Sequence, residues 1–238
     1  MLPRFFQNLG RYYETLRKLQ KGLDKAAGGR QGVIGNIAWL PSQVYYYARA
    51  AAASHVKTIC EVGYGAGHSS VLYLTMNPKA HLYSFDIFPV TSGSQSEVLE
   101  NQNLFQSVSL KYIREYHGSR FTAVSGDSNT SIPEFARKHP HTKCDLISID
   151  GAHIPPQPFF DILHFRALAR PESIMVLDDM EFLHPELQRA VKEGFAKERE
   201  CLRGEAFTDR EFANVEYYTS YVKAGEQKMF CSAQYLWQ

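Results

Sequence analysis

The sequence lacks the features of several specialised protein classes. No apolar run approaches the roughly 18 residues that a membrane-spanning helix needs, and no secretory signal is visible. The formal net charge is only +1 over 238 residues, so no global field attracts nucleic acid or an anionic membrane. The four cysteines are scattered without paired metal-binding spacing. We therefore expect reduced thiols in a cytoplasmic protein that binds neither nucleic acid nor membranes.

Basic side chains gather at the start of the chain. Residues 1–30 hold seven of them against only Glu14 and Asp24. A mitochondrial transit peptide is one interpretation, but such peptides are rich in serine and poor in acids. The favoured interpretation is a surface helix over residues 5–26, ended by Gly28 and Gly29, that packs on the domain or on a partner subunit.

The rest of the chain alternates between strand-like and helical segments, and the total length suits one large α/β domain. This alternation is typical of a mainly parallel sheet with helices on both faces. We interpret residues 1–55 as an N-terminal helical extension or lid and residues 56–238 as a single globular unit. The predicted strands are Lys57–Val62, His81–Asp86, Phe121–Ser125, Cys144–Ile149 and Ser173–Leu177, and the predicted helices lie at Gln43–Ser54, 67–76, 97–117, 131–138, 157–169 and 185–198.

The end of the chain departs from this rhythm. Two β-type runs, Asn214–Lys223 and Gln227–Trp237, are joined by Ala-Gly-Glu with no helix between them. Such a pattern predicts an antiparallel hairpin at the edge of the sheet. A plain dinucleotide-binding half of a dehydrogenase does not predict this hairpin.

A glycine-rich loop in the segment TICEVGYGAGHSS follows the first predicted strand. Gly63, Gly65 and Gly67 permit a sharp turn and let a ligand lie against the backbone, at the N-terminus of the next helix. The dinucleotide motif needs its third glycine one residue later, where His68 stands. Glu61 would repel a pyrophosphate, whereas it suits a ligand with an ammonium group, such as S-adenosylmethionine.

Acidic residues follow the other predicted strands as well. Asp86 comes 19 residues after Gly67, where a carboxylate accepts both hydroxyl groups of a ribose. Asp127 ends the third strand, where an adenine ring would lie, although it is equally suited to cap the next helix. Because ligands of open α/β sheets bind beyond the carboxyl ends of the strands, the combination indicates an adenosyl ligand.

The segments EVGYGAGHSS, SFDIF, DLISIDGAH and VLDD resemble the class I S-adenosylmethionine-dependent methyltransferases. Within them, the pattern is similar to small-molecule O-methyltransferases of the macrocin and caffeoyl-CoA type, over residues 32–238. The resemblance implies a Rossmann-like, seven-stranded, mainly parallel sheet with strand order 3-2-1-4-5-7-6, and it allows a homodimer. It also implies cofactor contacts at the methionine end, the ribose and the adenine, made respectively by Glu61, Gly63, Gly65 and Gly67, by Asp86, and by Asp127 with Ser128. Ser69 and Asp150 complete the predicted cofactor-binding set.

A candidate chemical centre follows the fourth and fifth strands. His153 is the preferred general base, because imidazole titrates near neutral pH, and it comes three residues after Asp150. Asp178 and Asp179 follow the neighbouring strand, and three adjacent carboxylates require a cation or protons. We therefore expect Asp150, Asp178 and Asp179 to bind Mg²⁺, as the resemblance also implies. The alternatives are that Asp150 and His153 serve only a turn and a helix cap, and that the acids bind no metal.

Together these features predict methyl transfer from S-adenosylmethionine to a small-molecule acceptor. The acceptor group is expected to be a hydroxyl, activated by Mg²⁺ and by His153, with Asp150 as its catalytic partner. A metal-independent N-methyltransferase is the nearest alternative. An NAD-dependent oxidoreductase and a noncatalytic adenosyl-binding protein are the others.

Overall fold

The computed structural model describes residues 2–28, 37, 40–88, 97–205 and 227–237. Its strands are β1 (Thr58–Val62), β2 (His81–Asp86), β3 (Phe121–Ser125), β4 (Leu146–Ile149), β5 (Ile174–Leu177), β6 (Ala196–Glu205) and β7 (Gln227–Tyr235). Its helices are α1 (Leu2–Ala27), α2 (Pro41–Ala51), α3 (His68–Met76), α4 (Glu97–His117), α5 (Ser128–Lys138), α6 (Gln157–Phe165) and α7 (Met180–Lys192).

The strands form one seven-stranded sheet in the order β3-β2-β1-β4-β5-β7-β6. The first five strands run parallel, and β7 is antiparallel to both β5 and β6. The predicted sheet order, the first five strands and the terminal antiparallel pair are therefore confirmed. Parallel order places the carboxyl ends of β1, β2, β3, β4 and β5 at one edge of the sheet, where ligands of such folds bind.

Both faces of the sheet carry an apolar core. One core packs α1, α2, α3 and α4 against the sheet, and the other packs α5, α6 and α7 against the opposite face. The central strands are buried accordingly, with every residue of β4 and four of the five residues of β1 buried. Burial on both faces explains why these strands are nearly continuous apolar runs in the sequence.

The basic N-terminal helix packs on the domain. α1 lies against α3 and α4, where Leu16, Leu19 and Leu23 are buried. Asn8 adds a hydrogen bond from its side-chain amide to the Met76 carbonyl oxygen, at 3.3 Å. Within the described ranges, neither this helix nor any other is both long and apolar enough to cross a membrane.

The first strand of the terminal hairpin is not where the sequence predicts it. The partner of β7 is β6, whereas the predicted run Asn214–Lys223 lies outside the described residues. The helix predicted over 185–198 ends earlier because Gly194, with φ of 76°, caps α7, and the Phe195 N–H group donates to the Ala190 carbonyl oxygen at 2.9 Å. β6 then reads AKERECLRGE, a charged edge strand without the apolar alternation that identifies most strands.

The prediction of reduced thiols is wrong. Cys60 pairs with Cys144, and Cys201 pairs with Cys231, in two disulfides that leave no free cysteine. Cys60 and Cys144 are 84 residues apart in sequence, but Cys60 lies on β1 and Cys144 lies just before the neighbouring strand β4. Cys201 and Cys231 are 30 residues apart and lie on the paired strands β6 and β7. The cytoplasmic location predicted from reduced thiols therefore loses that support.

The pairing predicts the outcome of a thiol titration. Protein that is unfolded without reductant should give no reaction with Ellman's reagent, and reduced protein should give four thiols. Loss of either bridge should lower the free energy of unfolding by about 2–4 kcal/mol, because the unfolded chain becomes less constrained. Free thiols in protein that was purified without reductant would contradict the pairing.

The ends of β1 and β4 approach more closely than a side chain permits. Gly63 follows β1 with φ of 92°, and a Cβ atom at this position would lie 1.7 Å from the Asp150 carbonyl oxygen. The Asp150 N–H group donates a hydrogen bond to the Val62 carbonyl oxygen at 3.0 Å, and this bond holds the two strand ends together. Glycine alone satisfies both the backbone conformation and the contact.

Gly63→Ala should therefore lower the free energy of unfolding by about 3 kcal/mol or more. Gly10→Ala is the matched control, because nothing lies within 4 Å of a Cβ atom at Gly10 in α1. The control should be neutral or more stable by about 0.5–1 kcal/mol, as expected for alanine in a helix. Chemical denaturation of the wild type, Gly63→Ala and Gly10→Ala measures these free energies of unfolding. Equal stability of Gly63→Ala and the wild type would refute the close contact.

Candidate functional site

A glycine loop connects β1 to α3 at the carboxyl edge of the sheet. Gly63, Gly65 and Gly67 all have positive φ, at 92°, 53° and 79°. Gly65 faces open space, since a Cβ atom added there would meet no heavy atom within 4 Å. α3 begins at His68, directly after the loop, so the unpaired N–H groups of its first turn lie at the same edge of the sheet. The three predicted glycines thus lie together, and Gly65 leaves room for a ligand against the backbone.

Glu61 lies beneath this loop. It is 1% exposed, and its carboxylate accepts hydrogen bonds from the hydroxyl groups of Ser69 at 2.9 Å, Ser84 at 2.7 Å and Ser70. Burial raises the pKa of Glu61 to about 7, although the serine hydrogen bonds act in the opposite direction. Glu61 is therefore a buried acid that joins the first turn of α3 to β2, and its contact with a ligand ammonium group stays a prediction.

Asp86 holds the same loop from the end of β2. Its Oδ2 atom accepts hydrogen bonds from the N–H groups of Tyr64 at 2.8 Å and Gly65 at 3.1 Å, and Oδ1 accepts from Ile87 at 2.6 Å. Burial raises the pKa of Asp86, and the three backbone hydrogen bonds oppose this rise. Because an ionised carboxylate offers about four acceptor positions, Asp86 retains capacity for a ribose hydroxyl.

Asp127 and Ser128 lie at the end of β3, where each binds another protein group. Asp127 Oδ1 accepts a hydrogen bond from the Asn129 N–H group at 2.8 Å and caps α5. Gln157 Nε2 donates to Ser128 Oγ at 2.9 Å and to Asp161 Oδ1 at the same distance. The capping interpretation of Asp127 is thus observed, and its contact with adenine stays a prediction. Gln157 is a member of this end of the sheet that the sequence analysis misses.

His153 lies between two carboxylates at the ends of β4 and β5. Its Nε2 atom is 3.4 Å from Asp150 Oδ1, and its Nδ1 atom is 3.4 Å from Asp179 Oδ2. The hydrogen bond to Asp150 raises the pKa of His153, burial opposes the rise, and the charges of both carboxylates and of Asp178 add to it. The structure therefore brings together Asp150, His153 and Asp179 as the sequence predicts.

Asp178 belongs to the same strand end but is more deeply buried. It is 8% exposed, and its Oδ1 atom accepts a hydrogen bond from the Asp179 N–H group at 2.7 Å. Burial raises the pKa of Asp178 well above its ordinary value, and the charges of Asp150 and Asp179 raise it further. Asp179 itself begins α7 in the left-handed region, with φ of 44°, the one non-glycine residue with positive φ in the described ranges. Such backbone strain is concentrated at functional sites.

Lys228 joins these carboxylates from β7, and the sequence analysis misses it. Leu177, the last residue of β5, pairs with Cys231, so antiparallel β7 extends past the end of β5 and places Lys228 beside Asp179. The Lys228 ammonium forms an ion pair with Asp179 Oδ1. Burial would lower the pKa of Lys228, but the charges of Asp179 and Asp178 outweigh burial and raise it. The only sequence signal is one charged residue in the run QKMFCSAQY.

This donor set is a poor match to Mg²⁺. Magnesium prefers an octahedral shell of oxygen atoms, including water. The groups close enough to share an ion are two carboxylates and one imidazole, from Asp150, His153 and Asp179, whose ligand atoms lie within 4.8 Å of one another. The Lys228 ammonium already binds Asp179, so a divalent cation there would meet a like charge. As arranged, these residues do not fit the predicted ion.

An apolar surface adjoins the imidazole. The Phe182 ring lies parallel to the His153 ring, with 5.9 Å between the ring centroids and 6° between the planes. Phe182 is 56% exposed, and Ile154, directly after His153, is 76% exposed. These two side chains offer apolar contacts next to the imidazole.

Comparison with known proteins identifies the family of the chain. A family model described as a methyltransferase domain matches residues 60–180, which is half of the chain. No curated protein matches the chain in sequence.

Several solved structures share the fold. The O-methyltransferase TomG from Streptomyces achromogenes, in complex with S-adenosylmethionine, is 12% identical with a TM-score of 0.65 over 94% of this chain and 90% of that chain. An O-methyltransferase from Bacillus cereus, in complex with S-adenosylhomocysteine, is 12% identical with a TM-score of 0.61 over 93% and 90%. A Staphylococcus aureus protein provisionally described as a caffeoyl-CoA O-methyltransferase is 10% identical with a TM-score of 0.55 over 98% and 100%. Because the family model covers half of the chain and these structures share its fold, the chain belongs to the class I S-adenosylmethionine-dependent methyltransferases.

Proposed function

We propose that this protein transfers a methyl group from S-adenosylmethionine to a hydroxyl group of a small-molecule acceptor, with His153 as the general base. One observation carries the proposal. The open glycine loop at Gly65, the Asp86 carboxylate and the His153 cluster all lie at the carboxyl edge of the same parallel sheet. This arrangement supports a ligand that lies across the strand ends with its reactive centre toward His153.

The residues around the loop fit the cofactor of this family. When bound, S-adenosylmethionine supplies a methyl group that its sulfonium already activates, so the protein mainly positions the two reactants. Gly65 leaves space for a ligand against the backbone, and the first turn of α3 offers unpaired N–H groups. Asp86 keeps acceptor capacity for a ribose hydroxyl, and Glu61 keeps an acidic group beneath the loop for an ammonium group.

The acceptor hydroxyl must lose its proton as the new carbon–oxygen bond forms. His153 accepts this proton when its imidazole is neutral. Because each imidazole nitrogen lies 3.4 Å from a carboxylate, the acceptor hydroxyl must take the place of Asp179 at Nδ1 to deliver its proton. Asp150, at Nε2, then stabilises the resulting imidazolium. Asp150 is thus a catalytic partner that orients the imidazole and balances its charge.

The surface formed by Phe182 and Ile154 favours a flat, apolar acceptor. Phe182 stacks on the base and keeps more than half of its surface exposed. An aromatic acceptor would pack against the exposed part of Phe182 with its hydroxyl in the plane of the imidazole ring, where the nitrogen lone pairs lie. Mg²⁺ is not part of this proposal, because the donor set beside His153 does not fit the ion. Methyl transfer to nitrogen stays the alternative, a homodimer stays a prediction, and the cysteines no longer support the predicted cytoplasmic location. An NAD-dependent oxidoreductase is disfavoured by membership of the methyltransferase family.

Calorimetric titration with S-adenosylhomocysteine tests the cofactor site. Wild-type protein should bind it, and NAD should give no binding heat. Asp86→Asn should weaken binding about 10- to 100-fold, because it removes the charge from a carboxylate that accepts hydroxyl hydrogen bonds. Asp24→Ala, which removes an exposed acid on α1, should bind as the wild type does. Binding of NAD in preference to S-adenosylhomocysteine would refute the assignment.

Substitution of His153 tests the base. His153→Asn should lower kcat about 10²- to 10⁴-fold on any acceptor that the wild type methylates, because proton removal is lost. Its affinity for S-adenosylhomocysteine should be unchanged, and His141→Ala, at an exposed histidine, should keep full activity.

The same base predicts how the rate depends on pH. Asp150, Asp179, Asp178 and Lys228 are the charged groups around His153, and the net effect on its pKa is a rise. Because only neutral imidazole accepts a proton, kcat/KM should fall as the pH drops through this raised pKa and should level off above it. A rate in His153→Asn that equals the wild-type rate over this pH range would exclude His153 as the base.

A further inference from the structure

The carboxylates beside His153 have a cation from the protein itself. The Lys228 ammonium contacts Asp179 Oδ1, and the side chains of the two residues are 30% and 17% exposed. An ion pair that is this sheltered is screened less by solvent than a surface pair. Lys228 is therefore a resident positive charge within the acidic cluster.

The three residues that follow Lys228 anchor its strand. The Met229 N–H group donates to Glu181 Oε1 at 2.8 Å, and the Phe230 side chain is fully buried in the core. Cys231 is both paired with β5 and joined to Cys201 by a disulfide. The anchored strand fixes the Cα position of Lys228, so pairing with Asp179 requires ordering of the lysine side chain alone and not of its backbone.

A divalent cation would have to share the Asp179 carboxylate with this ammonium, which contacts Oδ1, whereas Oδ2 faces His153. The groups that come within ion-sharing distance are Asp150, His153 and Asp179, and Lys228 already binds the last of them. Two cations at one carboxylate repel each other at short range. Removal of the ammonium would leave two acids and an imidazole with an uncompensated charge, which is a donor set that binds a first-row divalent metal.

We infer that Lys228 is a built-in cation that takes the place of a divalent metal beside Asp150, His153 and Asp179, so that methyl transfer by this protein needs no metal. The consequence for the acceptor rests on the proposed function. A bound metal is able to hold two neighbouring hydroxyl groups at once, whereas Lys228 is already paired with Asp179. The acceptor class is therefore an apolar molecule with a single reactive hydroxyl, and a vicinal diol brings no advantage.

Metal titration tests the place of Lys228 without any acceptor. Wild type, Lys228→Met, Lys228→Gln, Lys228→Arg and the control Lys197→Met, at an exposed position in β6, are titrated with MnCl₂ by calorimetry and by thermal shift. We expect no Mn²⁺ binding at millimolar concentration in the wild type, the arginine variant or the control. Both neutral variants should bind one Mn²⁺ ion, and either of them is sufficient if the other does not fold. One bound Mn²⁺ ion in the wild type, or none in a folded neutral variant, would overturn the inference.

An activity assay completes the experiment. Wild-type turnover should be unchanged in excess EDTA, and a monohydroxylated aromatic acceptor should react as well as its vicinal diol analogue. Lys228→Met should lose about 10- to 100-fold in kcat, as expected when a residue that supports a functional group is removed. Lys228→Arg should retain most of the activity. Added Mn²⁺ should restore part of the lost activity to the neutral variants Lys228→Met and Lys228→Gln, and it should not raise the activity of the wild type or of Lys228→Arg. Loss of wild-type activity in EDTA would overturn the inference, whereas failure of the wild type to bind S-adenosylhomocysteine would instead overturn the proposed function.

Discussion

The contact between Gly63 and Asp150 is the constraint on which this edge of the sheet depends. The Asp150 carbonyl oxygen lies where any larger residue at Gly63 would place its Cβ atom, so the ends of β1 and β4 are held at van der Waals contact. The glycine loop begins on one side of this contact, and the turn that leads to His153 begins on the other. A single backbone contact thereby fixes the distance between the part of the site that fits a cofactor and the part that fits an acceptor.

Electrostatic balance decides the chemistry that this geometry permits. Glu61 is buried under the loop and depends on serine hydroxyl groups, whereas the acids at the ends of β4 and β5 depend on an imidazole and an ammonium. Burial of several carboxylates without such partners would be costly. In the proposed reaction, His153 gains a proton, whereas Lys228 keeps its positive charge throughout.

The sequence predicts those features that local pattern encodes. Buried parallel strands such as β4 are continuous apolar runs, and acidic residues directly after them indicate the carboxyl edge of the sheet. The sequence alone therefore predicts Asp150 and Asp179 as members of the site. Features that depend on pairing between distant segments are missed. β6 is a charged edge strand, the cysteines of each disulfide are separated by 84 and 30 residues, and Lys228 reaches the site only through the antiparallel register of β7. No local pattern carries this information, because it arises from the order of the strands.

A crystal structure of the protein soaked with S-adenosylhomocysteine and MnCl₂ tests the central claim most directly. The account predicts that the adenosyl ligand lies against Gly65 with its ribose at Asp86, and its sulfur toward His153. It also predicts that the Lys228 ammonium remains on Asp179 and that no manganese peak lies among the carboxylates. A ligand bound elsewhere, or a manganese ion between Asp150 and Asp179 with Lys228 turned away, would contradict it.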